Sequence, residues 1–309
     1  MNRSTYNINS TSLFHYTKKF SVLKSIIKTG LRYSYSYESL YNEFNLDDAN
    51  SIVSTDANKS GVAIPMVCFC DIPILRAEQH KKKYGSYAIG LDKENLISVY
   101  KQTLNPINYI SSNNHYGMMK YFLNMNTFDL RCEEIINMSK DEHYKQLIQE
   151  GNMKAIYEDA EYIKKFDHIV NKDFYTSTLL GFTKPYSYIN EHGNEVCNYD
   201  EREWRIIIWD ELHNETNWEW DISKEFFSSN YEIWNKEIEE SEDNYIDGKY
   251  YKDINELIKH IIVNKDKEIV SLVRFIENSP VIFGCAITKD EKATLISKIT
   301  SFERIKKDY

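Results

Sequence analysis

Glu201-Arg202-Glu203-Trp204-Arg205-Ile206-Ile207-Ile208-Trp209 decides how the rest of the chain is read. It holds the densest run of β-forming residues in the sequence, so it is predicted to be a strand. On an extended chain side chains alternate, and the carboxylates of Glu201 and Glu203, two positions apart, share a face. Like charges held together resist simultaneous ionisation, so one of the two pKa values can rise. One carboxylate can then serve as acid or base while the other stabilises developing positive charge. Arg202 and Arg205 can pair with these carboxylates or hold a phosphate. The alternative is a plain edge strand whose alternating charges form surface ion pairs. The apolar run after Arg205 places the charges at the mouth of a core.

Working outward, Tyr186–Glu191 and Val196–Tyr199 read as two strands around the turn Glu191-His192-Gly193-Asn194. The acidic residues between 235 and 247 read as a solvated loop. The C-terminal part reads as strand His260–Val263, helix Glu268–Glu277, strand Val281–Phe283 and helix Lys292–Glu303. Towards the N-terminus, Leu13–Thr17 alternates as a strand does, with Leu13 and His15 on one face. Val22, Leu23, Ile26 and Ile27 recur at helical spacing between an N-cap at Ser21 and a C-terminal cap at Gly30. Residues 33–61 read as an irregular loop with one helical turn. Pro65–Pro73 is a strand bracketed by prolines. Leu75–Lys83 is helical and ends at Tyr84-Gly85, and Tyr87–Leu91 is a further strand. The apolar spacing between about 115 and 180 is helical. The expected fold is therefore α+β, a split, mostly antiparallel sheet in a single domain spanning 1–309. Residues 13–112 and 185–309 supply the β-rich core halves, and 113–184 form a helical insertion.

Composition removes several alternatives. The chain has 309 residues, a formal net charge of −9, and no apolar run long enough to span a membrane. Its first residues carry no secretory pattern, and its five cysteines fit neither a zinc site nor a disulfide framework, so a reducing cytoplasm is the expected compartment. Neither GxGxxG nor GxxxxGK[ST] occurs, which removes the usual glycine-rich phosphate cradles. The acidic balance gives no support to a broad nucleic-acid footprint.

Other residues are candidates for chemistry. His15 and Thr17, on either side of Tyr16, can hydrogen-bond sugar hydroxyls; the alternative is a core histidine satisfied by a backbone carbonyl. Tyr84 or Tyr87 can stack on a planar ring, against a default of core packing. Cys68 and Cys70 are weighed as nucleophiles without a nearby histidine in sequence. Arg76 and His80 lie four apart on a helix, as a ribonuclease pair can, and Lys81-Lys82-Lys83 reads as a solvated helix end.

In order, these pieces resemble known families. Phe14-His15-Tyr16-Thr17 with Leu23, Ile26 and Gly30-Leu31 resembles the opening strand and helix of ADP-ribosyltransferase-like proteins, including the DarT type. Val67–Pro73, Tyr84–Leu91 and Glu201-Arg202-Glu203-Trp204-Arg205 look more closely like the AbiGi-type abortive-infection proteins of bacteria. The AbiGi resemblance implies a role in phage defence, often as the antitoxin half of a two-gene system, with a toxin or a phage component as protein partner. The transferase resemblance implies an ADP-ribosyltransferase-like fold that uses NAD, either to modify a macromolecule (a nucleic-acid acceptor included) or to hydrolyse the cofactor. Under it, His15 contacts the adenosine ribose beside Tyr16 and Thr17. Tyr84 or Tyr87 stacks on nicotinamide, and Arg205 joins the cofactor-binding set. Glu203 takes the place of the transferase glutamate, and Glu201 that of the residue that orients the acceptor. Cys68-Phe69-Cys70 stands where that family has a Ser-Thr-Ser strand. The expectation of another class is a non-enzymatic antitoxin or sensor that binds a protein.

Overall fold

The computed structural model describes residues 10–39, 61–76, 78–101, 103–110, 142–150, 181–189, 192–207, 218–240 and 245–308. The N-terminal half gives β1 (Ser12–Thr17), α1 (Phe20–Thr29), β2 (Leu31–Arg32), β3 (Ser34–Ser39), β4 (Gly61–Cys70), α2 (Glu78–Tyr84), β5 (Tyr87–Asp92), α3 (Lys93–Val99), β6 (Leu104–Pro106) and β7 (Asn108–Ile110). The middle gives α4 (Glu142–Gln149), β8 (Thr183–Pro185), β9 (Ser187–Ile189), β10 (Glu195–Cys197), β11 (Glu203–Ile207), β12 (Glu219–Ile222) and α5 (Lys224–Glu240). The end gives β13 (Tyr245–Ile246), α6 (Ile254–Leu257), β14 (Ile258–Val263), α7 (Asp266–Asn278), β15 (Val281–Ile282), β16 (Cys285–Ala286), α8 (Lys289–Ile296), β17 (Ile299–Ser301) and α9 (Phe302–Asp308).

A nine-stranded sheet runs β17-β14-β5-β1-β4-β11-β6, with β3 and β12 also pairing β4. Every pairing in it is antiparallel except β14 with β17. The fold is thus α+β with a mostly antiparallel sheet, as expected. The ten-residue β4 is its spine. On one edge β4 meets β1 only at Cys70, opposite Phe14, and then β3 from Met66 to Gly61. On the other edge it meets β11 and then β12. Pro65 lies inside β4, not at its start as the bracketing prolines predicted. It falls where the partner on one edge changes from β11 (at Met66) to β12 (at Ala63), so its missing N–H breaks no ladder bond.

Alternation along the strands gives the sheet two faces. Leu13, Val67, Phe69, Ile89, Leu91, Ile206 and Ile261 fill the first, under α1 and α7, which contribute Leu23, Ile26, Ile27, Leu272 and Ile276. Each such side chain, fully buried, contributes about 1.5–3 kcal/mol of transfer free energy. Phe14, Cys70, Ala88 and Ile262 line the second face beside Phe302 of α9, and Val62, Ile64, Met66 and Ile207 continue it beside Phe182 and Trp218. Gly30 closes α1 with φ 98°, and a Cβ there would stand 2.5 Å from the Ile246 carbonyl oxygen, so glycine is required.

Four expectations are corrected. Residues 34–39, expected in a loop, form β3, because their exposed-looking Tyr and Ser residues pair along β4. The acidic stretch from 235 begins as helix: α5 runs to Glu240 and buries Asn235 and Ile238. The final helix is split by β17, which is short and pairs with β14 in parallel. The helix expected after an N-cap at Ser21 starts two residues earlier, at Phe20, with Lys19 in the N-cap position. The expected helical insertion falls largely outside the described residues; within it α4 is helical, while Thr183–Pro185 forms β8, parallel to β7.

Candidate functional site

The site predicted around Glu201 and Glu203 begins with an unusual turn. Asn198–Glu201 forms a 3-10 turn, and Arg202 after it sits in the left-handed region at φ 42°. A non-glycine residue pays roughly 1–2 kcal/mol for that conformation. It is held by main-chain bonds, the Arg202 N–H donating to the Tyr199 carbonyl and the Asp71 N–H donating to the Arg202 carbonyl. Glu201 and Glu203 are therefore not neighbours on one extended strand, and each carboxylate has its own cation.

Glu203, the first residue of β11, is buried beside three other charged side chains among the described residues. Arg205 donates through Nε to Glu203 Oε1 at 2.7 Å, through Nη2 to Glu38 Oε1 at 2.7 Å, and through Nη1 to the Gly181 carbonyl at 2.7 Å. Lys184 Nζ stands 3.0 Å from Glu203 Oε2 and 3.8 Å from Glu38 Oε2. Two carboxylates from β3 and β11 thus meet two cations from β8 and β11, and their formal charges cancel. Arg205 is only 1% exposed. A Cβ at Gly181 would lie 2.7 Å from the Trp218 ring and 2.8 Å from the Ile207 Cδ1, so a side chain there would have to displace its packing. Burial on its own would push the Glu203 pKa up, but Arg205 and Lys184 outweigh it and hold the carboxyl well below its usual range. The rise expected of one carboxylate in a coupled pair is thus reversed at Glu203.

Glu201 pairs with Lys83 of α2, whose ammonium also lies 5.0 Å from the centre of the Tyr84 ring. Burial, and then the charges of Glu201 and Glu203, raise the Tyr84 hydroxyl's pKa. His80, one turn before Tyr84, is buried between Tyr84 and Tyr16, with ring centres 5.9 and 6.2 Å away. Burial lowers its pKa, against an opposing pull from Glu201. Tyr16 lies against Cys70 on the same face. Burial raises the pKa of the half-buried Cys68 and pushes that of the buried Cys70 to about 12, so neither is a thiolate nucleophile near neutrality.

The structure therefore gathers Tyr16, Tyr84, Glu201, Glu203 and Arg205 on the second face of the sheet. It does not bring His15, Thr17 and Tyr87 to them. Phe14, Cys70 and Glu203 stand in one row of the register, so His15, one residue along, lies on the other face, with its ring edge-on to Phe69. Its Nδ1 is 2.9 Å from the Cys68 carbonyl, to which it donates. That carbonyl lies where β1 and β3 part along β4, so His15 closes a gap in the ladder. The sugar-binding role expected for it gives way to the backbone-satisfied alternative. Tyr87 stacks on Phe20, with ring centres 5.5 Å apart, and donates its hydroxyl to Glu268 of α7 at 2.8 Å. Its register partner Thr17 shares that face.

Sequence reasoning missed Glu38 and Lys184. Nothing local marks them; only the pairing of β3 with β4 and of β8 with β7 carries them to Arg205. It also missed Tyr109, whose hydroxyl accepts the Glu203 N–H at 2.8 Å.

These residues do not fit NAD as the resemblance assigned it. Both oxygens of Glu203 are already engaged by cations, and His15 faces away from it. Among the described residues no group of three or more His, Cys, Asp or Glu side chains is placed to hold a metal. No helix among them is long and apolar enough to cross a membrane.

The profile of the family described as "Putative abortive phage resistance protein AbiGi, antitoxin" matches residues 37–264. That span includes Glu38, Lys184, Glu203 and Arg205 and starts after the His15 strand. A protein of Lactococcus lactis subsp. cremoris, "Abortive phage resistance protein AbiGi", is 27% identical over 256 residues, covering 80% of this chain and 89% of that protein. No solved structure matches the chain.

Proposed function

The chain belongs to the AbiGi family of abortive phage resistance proteins, and we propose that it acts in phage resistance as an antitoxin, by binding and silencing a toxic protein partner. One observation carries this reading beyond the family name. The most chemistry-like block of the sequence is consumed in a self-neutralising ionic set, Glu203–Arg205–Glu38–Lys184, that fastens β11 to β3 and β8. Buried ion sets of this kind act as architecture; a carboxylate needed for a reaction has to meet its substrate. The net charge of −9 adds steering towards a basic partner.

The test is expression. The chain produced alone is expected to leave growth unaffected, to co-purify in a defined ratio with a protein that arrests growth when produced without it, and to lift that arrest. Growth arrest by the chain itself, or a toxic protein that stays toxic and unbound beside it, would overturn the reading.

A second reading, an ADP-ribosyltransferase-like fold using NAD, is favoured by the gathering of Tyr16, Tyr84, Glu201 and Glu203 on one face. It requires Glu203 to leave Arg205 and Lys184, so no reaction step is assigned to it.

A further inference from the structure

Beside the charged set lies a group of tyrosines that the antitoxin reading leaves without a task. Tyr186, between β8 and β9, stacks on Tyr199 of the 3-10 turn with ring centres 5.5 Å apart and planes 22° apart. Tyr109 of β7 meets Tyr199 edge-on, at 5.5 Å and 81°. Tyr186 and Tyr199 are each 46% exposed, a large outlay of aromatic surface to water.

The rings are fixed rather than loose. The Tyr109 hydroxyl is tied to the Glu203 N–H. The Asn198 N–H donates to the Tyr186 carbonyl at 2.8 Å, and the Asn198 side chain donates to the Pro185 carbonyl at 3.0 Å. Rigid tyrosines offer contact area at a low entropic cost of ordering, which is what a binding surface requires.

Two exposed carboxylates flank Tyr199 in the chain. Asp200 and Glu195 are exposed, on the 3-10 turn and on β10. Cys197 first, and Asp200 among the weaker influences, raise the pKa of the Tyr186 hydroxyl, which places that carboxylate within electrostatic reach of the shelf. The neighbouring ammonium of Lys83 is already paired with Glu201. Aromatic faces next to exposed carboxylates, of which Glu195 accepts the Ser187 hydroxyl at 2.8 Å on one oxygen, suit a planar cation that can stack and fork at once, a guanidinium more than an ammonium. The same carboxylates repel phosphate, which argues against a nucleic-acid strand on these rings.

We propose that the Tyr186–Tyr199 shelf, with Asp200 and Glu195, is a docking surface for an arginine-bearing segment of a protein partner. The proposal rests on the partner-binding reading and names the chemistry of the contact.

The test uses the full chain and two fluorescein-labelled peptides, alternating glycine–arginine and alternating glycine–lysine, followed by anisotropy. The arginine peptide is expected to bind about fivefold or more tighter than the lysine peptide. Tyr186→Ala with Tyr199→Ala is expected to erase that preference, while Tyr199→Phe, which keeps the ring, retains it. Circular dichroism checks that the variants fold. Asp200→Lys, an exposed change, is expected to weaken the arginine peptide whether or not the double variant folds. Equal affinity for the two peptides, indifference to these variants, or tighter binding of a thymidine oligonucleotide would overturn the shelf. The two readings fail separately. Arginine selectivity without any toxic partner defeats the antitoxin reading alone. A toxic partner bound equally well by Asp200→Lys and the tyrosine variants defeats the shelf alone.

Discussion

Arg205 occupies Glu203, Glu38 and the Gly181 carbonyl together, and so ties three chain segments at one buried point. Removing it leaves the two carboxylates of Glu203 and Glu38 with Lys184 as their remaining cation among the described residues. Arg205→Met is therefore expected to cost about 3–5 kcal/mol of stability in a urea titration. Glu203→Gln is expected to cost less, about 1–3 kcal/mol, because the amide oxygen still accepts from Arg205. A loss under about 1 kcal/mol for Arg205→Met would show that the set is not buried in solution. The imidazoles add a pH dependence. Burial lowers the pKa of His15, His80 and His260 below the ordinary 6.5. Above that value both folded and unfolded chains hold them neutral. As pH falls through it, the unfolded chain takes up protons first, so stability drops until the folded-state values are reached. The depressed Glu203 pKa acts lower: its contribution is present above about 4.5 and is lost as pH falls towards its folded value. Melting temperature is thus expected to decline between pH 7 and 5, less steeply in His80→Gln; a flat profile would count against neutral buried imidazoles.

At the scale of elements, legibility followed local pattern. Strands β1, β5 and β14 and helices α1 and α7 were readable because alternation or helical spacing is written into adjacent residues. Strand β3 was not, since Ser34–Ser39 resembles loop composition and becomes a strand only by pairing with β4. The beginning of the acidic stretch misled for the opposite reason: its charges suggest solvent, yet Asn235 and Ile238 hold the inner side of α5. Asn235 Oδ1 accepts the Tyr35 N–H of β3 at 3.0 Å, and its Nδ2 donates to the Tyr231 carbonyl. Asn235→Ala is therefore expected to cost about 1–3 kcal/mol and to speed hydrogen exchange at the Tyr35 amide. Unchanged exchange there would separate α5 from β3.

For the whole molecule, the sequence announced the carboxylates and the aromatic strand but not which face each would occupy. Faces follow from register, and register was set by contacts between segments far apart in the chain, so His15 and Glu203 could be named correctly as notable residues and still end on opposite sides of one sheet. The same long-range pairing brought in Glu38 and Lys184, which turned an apparent reactive pair into a cross-brace. On the proposed reading the chain binds a protein partner. The most direct check is nicotinamide release from NAD by the purified chain and by Glu203→Gln. The account expects neither protein to release nicotinamide above the buffer rate; release by the wild type that Glu203→Gln abolishes would contradict it.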